Sequence, residues 1–233
     1  MNTVSKITSR GYWKVIMHSS KFKQDRVANL LECQRLVEDC KVFLRGWDYP
    51  HCERIVSGED YVWSETDWEI YKEYWRFYQS GQFVHYLGCV EDWWKGSTLD
   101  AELGARYSPG EVLELLMVLY KLTEIYEFAS RLAQKGVLDE QMSLTIELHG
   151  MRDRRLICLS KPFFSAFGSY ISQEAALKFE ATLVVQDLIG RVAEHALEQS
   201  LQVFERFNWR DARLPENVTN LRADQRKLLE RTL

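Results

Sequence analysis

A chain of 233 residues with 46% hydrophobic composition can bury a substantial core, as one large domain or as two closely packed halves. Its 30 Lys and Arg against 34 Asp and Glu leave a formal charge of -4, which excludes a global attraction to phosphate or anionic lipid and confines any nucleic-acid surface to a local patch. No window approaches ~18 uninterrupted apolar residues, and residues 1–20 lack the apolar run of a signal peptide, so neither a membrane span nor export is expected.

The 5 cysteines, Cys33, Cys40, Cys52, Cys89 and Cys158, show no CxxC pair and no metal-type spacing with His. They predict reduced thiols in a cytoplasmic protein, with no disulfide, structural metal or cofactor. Along the chain, Trp13, Val15 and Met17 alternate with Tyr12, Lys14, Ile16 and His18, the period of a strand with one buried face. From Asp25 to Cys40, Val27, Leu30, Leu31, Cys33, Val37 and Cys40 recur at helical spacing, with Arg26, Glu32, Arg35 and Asp39 mostly outside. Lys41 to Trp47 reads as a second strand closed by Asp48-Tyr49-Pro50, since Pro cannot donate to a ladder, and Tyr61 to Trp68 as a third.

Tyr71 to Gln79 and Gln82 to Val90 flank Ser80-Gly81, a two-residue hairpin connection in which Gly supplies positive φ. Pairing Gln79 with Gln82 sets Trp75 and Phe77 opposite Tyr86 and Val84 on a core face. The other face then carries Tyr74, Arg76 and Tyr78 with Phe83, His85 and Leu87. A charged segment follows, with a boundary near residues 96–108, and Ser108-Pro109-Gly110-Glu111 reads as a helix start, Ser as N-cap and Pro at the first helical position. That helix runs to Gly136 and is apolar nearly all round, as a central element must be. Met142 to Gly150 and Arg154 to Leu159 alternate as two strands joined by a turn. Ala176 to Val185 alternates as a strand, although its Ala and Glu content tolerates helix. A helix from Asp187 to Phe207 buries Val192, Ala196, Leu197, Leu201 and Phe204. The expected fold is α+β: a mainly antiparallel sheet, a long central helix and a C-terminal amphipathic helix. Residues 1–96 form a β-rich half with one helix, 108–209 a helix-strand-helix half packed against it as one unit, and 210–233 a polar tail, mobile or helical only near its end.

Seven of the 8 Trp residues lie at or before Trp94; stacking platforms would use them, but core filling is the simpler reading. Lys72, Arg76 and His85 interleaved with Tyr74, Tyr78 and Phe83 make the best local case for recognition, because cations neutralise phosphate and rings stack or bury at interfaces. Asp48, His51 and Cys52 offer an acid-base pair beside a thiol, against the simpler reading of a structural turn. The acidic run Glu59, Asp60, Glu65, Asp67, Glu69 could supply oxygen ligands but lacks EF-hand spacing, and Glu147-Leu148-His149 near Asp153 has a nuclease-like order common by chance. No phosphate loop, HExxH, GxSxG or zinc-ligand cluster is present.

"LRGWDYPH" at Leu44 to His51, the Trp-rich hairpin and "LTEIYEFASRL" at Leu122 to Leu132 resemble uncharacterised bacterial proteins, some associated with schlafen-type AlbA DNA-binding modules. The resemblance covers most of residues 10–208, brings no functional residue with it, and leaves no room for an additional full AlbA module. It implies a bacterial cytosolic accessory or sensor protein, in defence or regulation. The expected function is a non-enzymatic interaction or sensor module that binds a protein partner or a second copy through Tyr74, Arg76, Tyr78 and His85. The alternative is a nucleic-acid-binding protein using the Arg76/His85 face, and a metal-dependent hydrolase ranks third.

Overall fold

Seven strands form one sheet, every neighbouring pair antiparallel, in the order β2 (Val56–Ser57), β3 (Tyr61–Trp68), β4 (Tyr71–Tyr78), β5 (Phe83–Gly88), β1 (Tyr12–Ser19), β7 (Gln141–His149) and β9 (Ala176–Val184). The structure, a computed structural model, describes residues 2–97, 100, 104, 106–160 and 170–232. Part of the charged segment expected to separate two halves lies outside the described residues. The halves share the sheet itself, because β1 pairs with β5 on one side and β7 on the other.

One face of the sheet is the core. Trp13, Val15 and Met17 of β1 are buried as their alternation predicts, beside Leu144, Ile146 and Leu148 of β7 and Leu177 of β9. Across this face lies α3 (Leu115–Gln134), buried on nearly every side because the sheet flanks it on one side and other helices on the next. Phe128 of α3 meets Phe83 of β5 at 4.8 Å between ring centroids. The mainly antiparallel α+β sheet with a long central helix and a C-terminal helix is thus the fold.

Several local expectations are corrected. The first long helix, α2 (Leu30–Cys40), begins five residues late, because the Asn29 side chain accepts from the Glu32 N–H and caps it there; Leu31 is exposed. The short α1 (Thr3–Ile7) precedes β1. Lys41 to Trp47 is not a strand: its backbone makes a single bridge, Val42 with Tyr49, while Val42 and Leu44 are buried from an irregular loop. Ser108 does not cap α3. Pro109 and Gly110 sit at the two centres of a turn closed by Glu111 N–H to Ser108 C=O at 3.1 Å, and Gly110 takes φ +93, the geometry Pro-Gly favours over helix initiation. The next residues form β6 (Val112–Glu114), paired in parallel with β8 (Arg155–Ile157), so β8 is not the hairpin partner of β7. Glu114 then caps α3 by accepting from Met117 N–H at 2.7 Å.

At the other end of the chain, Arg191 at φ -139 and ψ 38 divides the expected helix into α4 (Val185–Gly190) and α5 (Val192–Arg206). The tail, expected to be polar and mobile or helical only near its end, is helical over most of its length. It is mainly α6 (Pro215–Leu229), started by Pro and docked through buried Leu221 and Leu228. The Gln225 amide of α6 reaches Thr123 Oγ1 of α3 and the Ala193 carbonyl, both at 3.0 Å. Among the described residues no helix is long and apolar enough to cross a membrane.

Candidate functional site

The opposite face of the sheet carries the sequence-predicted residues Tyr74, Arg76 and Tyr78. Alternation along β4 turns Glu73, Trp75 and Phe77 toward the helices and these three away from them. Cross-strand neighbours extend the face. Tyr61 pairs with Tyr78, Trp63 with Arg76, and Tyr74 with Tyr86, which in turn pairs with Lys14. The rings lie against one another: Tyr61 and Tyr78 at 5.2 Å, Trp63 and Tyr74 at 5.8 Å, Tyr12 and Tyr86 at 6.3 Å. All of them are partly exposed.

Arg76 sits among these rings. Its Nε donates to the Tyr74 hydroxyl, and its guanidinium carbon lies 4.7 Å from the Tyr61 centroid and 5.4 Å from that of Tyr74. Hydrogen bonding to Tyr78 and, against some desolvation, to Tyr74 raises its pKa above the ordinary arginine value, so its charge is fixed. Lys6 of α1 lies over the Trp93 ring at 5.8 Å, and the two close the end of the face near Gly88, where a Cβ would come 2.8 Å from Trp93 Nε1.

His85 does not belong to this face. The connection is a three-residue loop, Gln79-Ser80-Gly81, bounded by Tyr78 N–H to Gln82 C=O at 2.9 Å, with Gly81 in the left-handed region at φ +80. Trp75 therefore pairs with His85 and Phe77 with Phe83, one residue off the expected register, and every β5 side chain changes face. His85 is fully buried. Its Nε2 lies 3.1 Å from Glu73 Oε2. Burial depresses its pKa, so the ring is neutral and donates Nε2–H to the carboxylate.

Glu73 anchors a buried polar layer that no local sequence spacing announced. It also accepts from Trp47 Nε1–H at 2.8 Å and His51 N–H at 3.4 Å. Despite the penalty of burial, the His85 hydrogen bond, then nearby charge and Trp47, bring its pKa down to about 2. The Trp47 ring is stacked between His51 at 3.8 Å and Tyr71 at 3.9 Å. On α3, Glu124 holds Arg45 by two bonds of 2.7 and 2.9 Å and Lys121 at 3.4 Å.

The other candidates fare differently. His51 Nδ1 does meet Asp48, but Cys52 directs its thiol to the Pro50 carbonyl at 3.4 Å, and burial pushes that thiol up to about 12, so it carries no thiolate at neutral pH. Asp67 of the acidic run is engaged by Lys6 and Lys72. Glu147 and His149 are bonded to each other at 2.9 Å, with Tyr12 stacked on the imidazole. Among the described residues no group of three or more His, Cys, Asp or Glu is placed to hold a metal ion. No family model, curated protein or solved structure matches the chain.

Proposed function

We propose that the protein is a non-enzymatic recognition module, and that it engages a protein partner through the face formed by Tyr61, Trp63, Tyr74, Arg76, Tyr78 and Tyr86. The observation that carries this reading is the fixed guanidinium set among partly exposed rings on a sheet face that α2–α6 leave uncovered. Tyr, Trp and Arg are the residues that concentrate binding energy at interfaces, because rings desolvate at low rotamer cost and a planar fork pairs with carboxylates. The five free thiols suit a reducing cytosolic setting.

Charge favours protein over nucleic acid. Lys14 is 3.6 Å from Glu147 and is thereby offset, which leaves Arg76 as the main cation at the centre of the face. One neutralised phosphate gives a salt slope of only about -1, too shallow for a nucleic-acid site of ordinary strength.

The test is a photo-crosslinking residue in place of Tyr78, expressed in the source cell. One discrete protein adduct is expected, and its purified partner should bind Arg76→Ala or Tyr74→Ala more weakly by roughly 1–3 kcal/mol, with both variants folded. Normal binding by folded variants would refute the reading. A single-stranded oligonucleotide bound with a steep salt dependence would transfer the face to nucleic acid.

A further inference from the structure

On the helix side of the sheet, at the end where β4 and β5 meet the first turns of α3, lies a cavity of about 250 Å³. Trp13, Trp47, Tyr71, Leu113 and Met117 give it an apolar wall. An apolar protein cavity of about 150 Å³ already accommodates benzene, so this one has room for a ring and a short polar arm.

The polar part of the wall includes a set of donors. Arg45 and Lys121 both line the cavity and share the single carboxylate of Glu124. Arg45 uses Nε and Nη2 on that carboxylate, while its Nη1 reaches only the Met117 sulfur at 2.9 Å, a weak acceptor. Lys121 has three N–H bonds to give and Glu124 at 3.4 Å to receive one. Their side chains are 21% and 16% exposed, enough to be reached yet shielded from solvent screening. Two carboxylates stand in the same wall: Glu73 is already met by Trp47, His51 and His85, while Glu91 accepts the Glu114 N–H at 2.9 Å and burial pushes its carboxyl up, so both ask little of a ligand. A guest must therefore bring acceptors to one end and an apolar ring to the other.

We propose that this cavity is a binding site for a small aromatic monocarboxylate, its carboxylate received by Arg45 Nη1 and Lys121 Nζ and its ring lodged against Trp13, Trp47 and Leu113. A carboxylate suits the two cations because charge-assisted hydrogen bonds are the strong ones and a guanidinium edge with an adjacent ammonium presents several N–H bonds together. The site lies on the opposite side of the sheet from Tyr74 and Arg76, so it stands or falls separately from the partner face.

Trp13 and Trp47 make the intrinsic fluorescence of the folded protein a reporter. Phenylacetate, phenylacetamide and phenethylamine are titrated in parallel. The acid should give saturable quenching, with the amide weaker by roughly ten-fold or more, the value of a hydrogen bond to a charged group; the amine should not saturate. Lys121→Met should remove the preference for acid over amide. Gly46→Phe should abolish the saturable response to both acid and amide, since Gly46 lines the cavity and a Cβ there meets no atom within 4 Å. Equal affinity for acid and amide, or no saturable response of wild type to phenylacetate, would overturn the proposal, and neither result depends on a variant folding. A folded Lys121→Met that keeps the preference would overturn it as well.

Discussion

Asp92→Ala should be the most damaging single change outside the apolar core. Arg154 and Asp92 are each 1% exposed and bonded through both carboxylate oxygens, Nη1 to Oδ1 at 2.8 Å and Nη2 to Oδ2 at 2.5 Å. The pair also ties separate segments together. Arg154 donates to the Gly150 and Val112 carbonyls, and Asp92 accepts the Gly11 N–H at 2.7 Å, joining the start of β1, the turn after β7 and strand β6. Truncating Asp92 strands a buried guanidinium with two carbonyls and orphans the Gly11 amide. Breaking a buried pair costs about 3–5 kcal/mol, so with roughly 2–4 °C lost per kcal/mol in a chain of this size the melting temperature should fall by about 6–20 °C. Urea unfolding followed by far-UV circular dichroism measures the free-energy loss, and a thermal melt the shift in temperature. The double variant Asp92→Ala/Arg154→Met should lose less than the two single losses added together, because it no longer buries an unpaired charge. A loss under about 1 kcal/mol for Asp92→Ala, with an unchanged urea slope, would show that the pair does not hold these segments.

Glu114 gives a second prediction: burial pushes its carboxyl up to about 7 from 4.5, so between those values the unfolded chain has lost a proton that the folded protein keeps, and stability falls as pH rises. Urea midpoints of wild type and Glu114→Gln across pH 4.5 to 7 should diverge in the variant's favour as pH rises; a constant difference would contradict the burial argument. Leu228→Ala, at a fully buried position of α6, should cost about 2–5 kcal/mol, and a neutral result by thermal melting would mean that the C-terminal helix is not docked on α3.

The strands were legible wherever side chains alternated without interruption, as at Trp13/Val15/Met17 and Leu177/Phe179/Ala181/Leu183, and α3 was legible because a helix apolar on most sides has to be central. Failures arose where one short sequence serves two geometries. Gln79-Ser80-Gly81-Gln82 closes a two-residue or a three-residue loop with Gly at positive φ in each, and the choice decides which face holds His85. Ser108-Pro109-Gly110-Glu111 starts a helix or closes a turn, and the turn wins where Arg155–Ile157 offers Val112–Glu114 a parallel partner. Val42 and Leu44 alternate like a strand, yet their loop finds only the Tyr49 bridge. The buried polar layer had no signature at all: Arg45, Glu73, His85 and Glu124 come from a loop, two strands and a helix, and only the fold brings them together.

The placement of unsatisfied groups connects that layer to the cavity. Tyr49 OH, Ser64 Oγ, Thr66 Oγ1 and His85 Nδ1 are buried side-chain atoms with no hydrogen-bond partner among the described residues. They are neighbours. Thr66 pairs across the strands with Glu73, Ser64 with Trp75 and Trp75 with His85, while the Tyr49 ring lies 5.1 Å from the imidazole. Each such group costs about 1–3 kcal/mol, and an apolar layer of the same shape would avoid the cost. An ionised Glu73 held by three N–H donors, and two cations sharing Glu124 beside it, cannot be produced by an apolar layer. Local rules that favour stability are broken at sites with another task, and here four of the seven unpartnered buried atoms among the described residues gather behind the wall of a cavity in which Arg45 and Lys121 hold unspent donors. The same sheet thus keeps its polar chemistry inside, where low dielectric strengthens it, and sets Tyr61, Trp63, Tyr74, Tyr78 and Tyr86 partly exposed on its other face, where the proposed partner would desolvate them.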